Sequence, residues 1–321
     1  MRSQRMGEAF MSTIKIAVLI PCYNEEQTIV KVIEHARQHL PQAQIVVCDN
    51  ASTDQTAALA QQAGAHVISE TNKGKGNAVR RLFAETQADY YVMIDGDATY
   101  DLTDALQFIE QAQQEHLDFI NVARKHTDDT AYRAGHQFGN KLLTGFVRFI
   151  FGDKIKDLLS GYKIFSNRFV KTFPARSTGF EIETELCVFA LSCRMPLAEK
   201  AAPYYPRPAG SVSKLSTYKD GLYILRTIFL LVKEEKPLLF CFVIACLLAL
   251  VAILLIIPVL ITFWETGLVP RLPTAVLATG LMIWALLFII AGLILDNVRL
   301  FVQESRRRSY LLIAHKKDNL Q

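Results

Sequence analysis

The stretch Tyr91-Val92-Met93-Ile94-Asp95-Gly96-Asp97 decides how this chain is read. Four apolar residues suited to a buried strand run straight into two carboxylates spaced i,i+2, with a glycine between them. A strand ending this way delivers both acids to the carboxyl edge of a sheet. Two like charges so close repel unless a cation sits beside them. Hard oxygen donors with open positions suit Mg2+ or Mn2+ carrying a diphosphate. A lone Asp-x-Asp is most often a plain turn, so its weight comes from its surroundings.

Those surroundings repeat the pattern. Ile16–Ile20, Ile45–Cys48, His66–Ser69, Tyr91–Ile94 and Phe119–Val122 read as strands. Glu26–His39, Gln55–Ala63, Lys75–Thr86 and Thr103–Glu115 between them read as helices. Alternation of this kind predicts an α/β domain with a doubly wound, mostly parallel sheet, whose ligands bind at the carboxyl ends of strands. After the first strand comes Pro21-Cys22-Tyr23-Asn24-Glu25, with Asn24 placed to cap the next helix. After the second comes Asp49-Asn50-Ala51-Ser52-Thr53-Asp54, short polar side chains able to meet a base or ribose. After the third comes Lys73-Gly74-Lys75-Gly76, whose glycines would expose backbone N–H groups to a phosphate at a helix start. Neither a dinucleotide-binding GxGxxG after the first strand nor a GxxxxGK[ST] loop is present.

The 321 residues carry 35 Lys+Arg against 31 Asp+Glu, a net charge of +4, too mild for a nucleic-acid partner. The mean hydropathy of +0.19 has a local source. Leu238–Phe263 is 26 residues without a charge and Thr274–Leu295 another 22, each beyond the roughly 20 that cross a bilayer core. Lys233 and Lys236 precede the first run, and Arg299, Arg306, Arg307, Arg308, Lys316 and Lys317 follow the second. By the positive-inside rule both ends are cytoplasmic. The reading is a multi-pass protein of the cell (inner) membrane, with its catalytic domain and C-terminus cytoplasmic. Its expected organisation is an N-terminal tail (1–13), a catalytic domain (14–216), an amphipathic juxtamembrane helix (217–236), a transmembrane hairpin (237–296) and a basic tail (297–321). His136–Phe151 is a further amphipathic helix candidate. The six cysteines form no CxxC and read as small hydrophobes in a reducing compartment. His35 and His39 have metal-ligand spacing but no third partner, and read as a solvated helix face.

Taken as a set, Pro21-x-Tyr23-Asn24-Glu25, Asp49-Asn50-Ala51-Ser52-Thr53-Asp54, Lys73-Gly74-Lys75-Gly76 and Asp95-x-Asp97 resemble the nucleotide-sugar domain of family 2 glycosyltransferases, the GT-A fold. Ser160-Gly161-Tyr162-Lys163, Gly179-Phe180-Glu181-Ile182-Glu183 and Gly210-Ser211-Val212-Ser213-Lys214-Leu215 are similar to its polyprenyl-phosphate branch, the dolichol-phosphate mannosyltransferase-like enzymes. Two terminal spans recur in membrane-anchored members of that branch. The resemblance implies that Pro21, Tyr23, Glu25 and Asp49 surround the base and ribose. It implies that Lys75 approaches the donor diphosphate and that Asp95 and Asp97 hold the metal. It gives Arg124 and Arg133 the acceptor phosphate, and it suggests a homo-oligomer such as a tetramer. Arg207 and Lys214 could close over the diphosphate. The chain departs from the family at Asp49-Asn50-Ala51-Ser52, where Asp-Asp-Gly-Ser is common.

The implied activity is inverting transfer of one sugar from a nucleotide-diphosphate sugar to a polyprenyl phosphate. A lipid phosphate is already anionic at neutral pH, its second pKa being about 6, and so needs cations but no general base. The rival acceptors are a lipid hydroxyl such as that of diacylglycerol, which needs a base, and a growing polysaccharide. Processive synthases of this fold typically carry QxxRW, and neither Trp264 nor Trp284 is preceded by Arg. A catalytically inactive nucleotide-sugar-binding scaffold would be free to lose Asp95 and Asp97, and both are present.

Overall fold

A computed structural model describes residues 14–126, 144–145, 147–207, 226–227 and 229–313. The chain divides into two compact units, one of residues 1–224 and 306–321 and the other of residues 225–305.

In the first unit seven strands form one sheet: β1 (Ile16–Cys22), β2 (Gln44–Asp49), β3 (His66–Ser69), β4 (Tyr90–Met93), β5 (Phe119–His126), β6 (Lys163–Ser166) and β7 (Leu197–Tyr204). Their order is β3-β2-β1-β4-β6-β5-β7. Only β6 runs against the others, pairing antiparallel with both β4 and β5. Helices α1 (Ile29–His39), α2 (Thr56–Gln62), α3 (Lys75–Glu85), α4 (Ala105–Gln114), α5 (Asn167–Thr172) and α6 (Ile182–Ser192) connect and flank the strands. Every residue of β1 and of β4 is buried, as expected of parallel strands covered on both faces. Ile16, Val18 and Ile20 pack in one cluster with Ile29 and Ile33 of α1 and Phe108 and Ile109 of α4.

The strand order reverses direction between β1 and β4, so the carboxyl ends of these two strands frame a crevice. Periodicity had pointed to five strands; β6 and β7 are additional. β6 is four residues long and opens on Lys163, which is fully buried and donates from Nζ to Asn121 Oδ1 at 2.6 Å. β7 contains Glu199, Lys200 and Pro203, a poor strand composition that its place at the sheet edge tolerates.

The second unit holds most of two long apolar helices, α7 (Pro237–Thr266, 30 residues) and α8 (Leu272–Leu312, 41 residues). Both are long and apolar enough to cross a membrane. Helix α8 continues through Arg299 and Arg306–Arg308, so much of the basic tail expected at 297–321 is helical. The buried residues Ala245, Ala252 and Val259 of α7, and Ala278 and Ala285 of α8, recur every seven positions. That spacing keeps them on one face of each helix and leaves the large apolar side chains outside. Residues 226–227 and 229–235 are helical, whereas the rest of the segment 217–225, like most of 136–151, lies outside the described residues.

All six cysteines are unbridged; five are buried and Cys246 is exposed on α7. His35 differs from the solvated residue expected on α1. Its Nε2 accepts the backbone N–H of Leu102 at 3.0 Å, and its ring lies against His39 with centroids 4.5 Å apart.

Candidate active site

A cleft of about 300 Å3 opens at the carboxyl ends of β1 and β4. Seven of the eleven residues singled out in the sequence line it: Pro21, Tyr23, Glu25, Lys75, Asp95, Asp97 and Arg207. Asp49 closes β2 in register with Cys22, a lining residue of the cleft. Arg133 and Lys214 lie outside the described residues.

The two carboxylates of the opening stretch are both engaged by cations of the chain itself. Asp97 is buried; its Oδ1 accepts Thr99 Oγ1 at 2.6 Å, and its Oδ2 lies 2.7 Å from the Arg207 guanidinium. Asp95 Oδ1 contacts the Lys75 ammonium, which also contacts Glu183 Oε1. Burial alone would pull the Lys75 pKa down; Asp95 and Glu183 outweigh it and hold it raised, so the ammonium stays charged. Gly161 lets Asp95 into this position, since a Cβ there would lie 2.3 Å from Asp95 Oδ2. Cys22 is no candidate nucleophile. Burial, with Glu25 and Asp95, pushes its thiol well above its ordinary value, and it stays protonated.

The Lys73–Gly76 loop works differently from the expected phosphate cradle. The N–H groups of Gly76 and Asn77 donate to Thr178 O at 2.9 and 3.3 Å, and that of Gly74 donates to Asn50 Oδ1 at 2.7 Å. These amides are therefore spent on the protein. Gly76 is required by close packing, because a Cβ there would meet Ser177 O at 2.1 Å. What the loop offers an anion is its two lysines, both lining the cleft: Lys75, and Lys73, whose Nζ donates to Tyr23 OH at 3.2 Å.

The loops after β1 and β2 also hold each other. Asn24, expected to cap α1, instead accepts Thr53 N–H through Oδ1 at 2.8 Å, while its own N–H donates to Ser52 Oγ at 3.0 Å. The N-cap position of α1 belongs to Thr28. Asp54 accepts from Glu26 N and Thr56 N. Asn50 donates from Nδ2 to the carbonyls of Glu70 (3.1 Å) and Asn72 (2.7 Å). Among the polar side chains of this loop, Asp49 is the exception. Its Oδ1 is buried and has no hydrogen-bond partner among the described residues.

Arg124 sits inside β5 and is not an open cation. Asp157 takes its Nε and Nη2 in a two-pronged pair at 2.8 and 2.7 Å, and its backbone N–H at 3.1 Å. The guanidinium also lies 5.6 Å from the centre of the Tyr204 ring. The Ser160–Lys163 motif is mainly structural: Ser160 Oγ donates to Val122 O at 2.5 Å, and Tyr162 and Lys163 are fully buried.

Two residues outside the chosen set bear directly on Lys75. Phe180 is exposed, lines the cleft and has the Lys75 ammonium 5.9 Å from its ring centre. Of the two acids in the Gly179–Glu183 motif, Glu183 is the one that meets Lys75. The i,i+2 spacing shows that the two cannot share a helix face, but only the position of α6 selects one of them.

Residues 17–173 match the family described as glycosyl transferase family 2. Glycosyltransferase AglJ of Haloferax volcanii is 34% identical over 226 residues, covering 70% of this chain and 74% of that protein. The dolichyl-phosphate beta-glucosyltransferase of Saccharomyces cerevisiae is 26% identical over 254 residues, 68% of this chain and 76% of that one. The crystal structure of glucosyl-3-phosphoglycerate synthase from Mycobacterium tuberculosis, in complex with Mn2+, uridine-diphosphate-glucose and phosphoglyceric acid, matches with a TM-score of 0.56. That match is 21% identical and covers 70% of this chain and 81% of that chain, a likeness of fold.

Proposed function

Because the chain belongs to glycosyl transferase family 2 and is a glycosyltransferase, we propose that it moves a single sugar from a nucleotide-diphosphate sugar to a polyprenyl phosphate. Transfer inverts the anomeric centre and takes place at the cytoplasmic face of the cell membrane. The observation that carries this reading is the convergence of Asp95, Asp97, Lys75 and Arg207 on one cleft, in a chain that ends in two membrane-length apolar helices.

The donor set fits a divalent cation. Asp95 and Asp97 offer hard carboxylate oxygens, and both already carry a positive partner. Among the described residues no group of three or more His, Cys, Asp or Glu gathers as a metal site, so the donor diphosphate would complete the coordination. Mg2+ or Mn2+ held by Asp95 and Asp97 would stabilise the charge that develops on the departing diphosphate.

The chain's own groups do the rest. Asp49 Oδ1, buried and unpartnered, is suited to accept an N–H of the base, with Pro21, Tyr23 and Glu25 forming the walls around base and ribose. Lys75 and Arg207 are the cations nearest the carboxylates and would bind the diphosphate, joined by Lys214. A phosphate oxygen of the acceptor attacks the anomeric carbon as the bond to the diphosphate breaks. No proton has to be removed, because the lipid phosphate is already an anion. Arg124, held in place by Asp157, and Arg133 would receive that phosphate. A lipid hydroxyl acceptor would need a base, and Asp95, Asp97 and Glu183 all have cation partners. Helices α7 and α8 would form the transmembrane hairpin, and the amphipathic juxtamembrane helix expected at 217–236 would hold the site at the depth of the lipid phosphate. A homo-oligomer such as a tetramer belongs to the same reading.

The test is incubation of the purified protein with a panel of nucleotide sugars and short polyprenyl phosphates, with products read by mass. A polyprenyl-phosphate sugar is the expected product. Transfer to diacylglycerol, or nucleotide-sugar binding with no transfer to any lipid, would overturn the reading.

A further inference from the structure

The Lys75 ammonium is shared. It contacts Asp95, a lining residue of the cleft, and Glu183, which is not one. The Lys75 and Glu183 side chains are 9% and 8% exposed, so both charges are largely withdrawn from water. Their backbones are pinned together: Thr178 O, four residues before α6, accepts the first amides of α3, and Ser177 lies too close to Gly76 to admit a side chain. Lys75 thus has two fixed seats, one on a carboxylate of the cleft and one just behind it.

A cation on Asp95 and Asp97 competes with Lys75 for Asp95, since two positive charges on one carboxylate repel. A lysine with no second seat would resist leaving, because an unpaired buried ammonium is costly. Glu183 provides that seat. We propose that Glu183 is a positioning residue that keeps Lys75 when a divalent cation takes Asp95, so that cation binding is an exchange in which the shared ammonium gives up Asp95 and stays on Glu183. This rests on the reading of Asp95 and Asp97 as the metal carboxylates. Lys75, which lines the cleft and stays paired with Glu183, then faces the diphosphate without neutralising Asp95.

The experiment is Mn2+ binding to the full-length protein in detergent without nucleotide, followed by the electron paramagnetic resonance of free Mn2+. Lys75→Met removes the competitor and should tighten Mn2+ binding by about three- to tenfold while weakening nucleoside-diphosphate binding. Glu183→Asp keeps the charge but withdraws it by one methylene, and should weaken Mn2+ binding about threefold or more. In the Lys75→Met background, Glu183→Asp should have no effect, because there is no ammonium to keep. An influence of Glu183 through its charge alone predicts wild-type Mn2+ binding by Glu183→Asp, and that result overturns the proposal. So does an equal loss in both backgrounds. If Glu183→Asp does not fold, unchanged or weaker Mn2+ binding by Lys75→Met overturns it instead. Mn2+ binding by wild type with no response to either substitution removes the exchange but keeps the metal reading. Absence of Mn2+ binding in every variant removes the exchange, and absence again with saturating nucleoside diphosphate removes the metal reading as well.

Discussion

The guanidinium of Arg207 lies 2.7 Å from Oδ2 of Asp97, joining the chain just beyond β7 to the loop that follows β4. Asp97 is thus held by Thr99 on one oxygen and by Arg207 on the other. Its environment is built around a negative charge.

Asp97→Asn removes that charge with little change of shape. Sugar transfer should fall by at least a factor of about 100, the scale of losing one electrostatic stabiliser of the transition state. The protein should stay folded, since Asn can still accept from Thr99. Product mass measured alongside a thermal melt checks both halves. Retained transfer after removal of divalent cations would defeat the metal-dependent mechanism.

Gly76→Ala should destabilise the first unit by about 1–3 kcal/mol, the cost of overpacking a tight site. The added Cβ would sit 2.1 Å from Ser177 O, and a backbone carbonyl cannot swing away as a flexible side chain can. Denaturant unfolding of wild type and variant measures the difference. Wild-type stability would mean that α3 and the 177–178 segment are not locked together.

Ala51 occupies φ 56°, the left-handed region, where glycine is the residue of least cost. Ala51→Gly should therefore stabilise the protein, by up to about 1 kcal/mol once the added freedom of the unfolded chain is offset. The same denaturant series reads it, and destabilisation would contradict the strain argument.

His35 gives a pH dependence with a defined sign. Burial, helped by His39 and opposed by Asp101, lowers its pKa from the ordinary 6.5. The fold favours the neutral ring, whose Nε2 accepts from Leu102 N–H. A pKa below the unfolded value contributes stability that is fully present above about pH 6.5 and is lost as pH falls through the folded pKa. The unfolding midpoint should drop below about pH 6.5, and His35→Gln, which keeps an acceptor but does not titrate, should flatten the slope. Identical slopes in both proteins would refute the assignment.

Much of the site was legible because it is local. Asp95 and Asp97 come just after their strand, and Pro21 lies at the carboxyl end of β1 with Tyr23 and Glu25 just beyond it, so their place at one sheet edge comes from strand polarity alone. What misled was assigning local jobs to polar groups that have distant partners. The amides at the start of α3 serve Thr178, and Asn24 serves Thr53. Glycine at 76 reads in sequence as a phosphate-facing amide, whereas it is needed because a backbone passes at contact distance, which has no signature in its neighbours.

The sequence by itself determined the α/β class, the acidic strand end and the two membrane-length apolar helices. Each is a pattern of hydrophobicity or charge within about 20 residues, the range over which strand and helix periodicity operate. Tertiary structure alone decided which charges meet. Lys75 and Glu183 stand 108 residues apart, and nothing near either predicts the other. The choice of Glu183 over Glu181, and of packing over phosphate at Gly76, follows from where α6 comes to rest against α3. An ion pair forms where folding removes two charges from water together, and that place is set by the whole sheet.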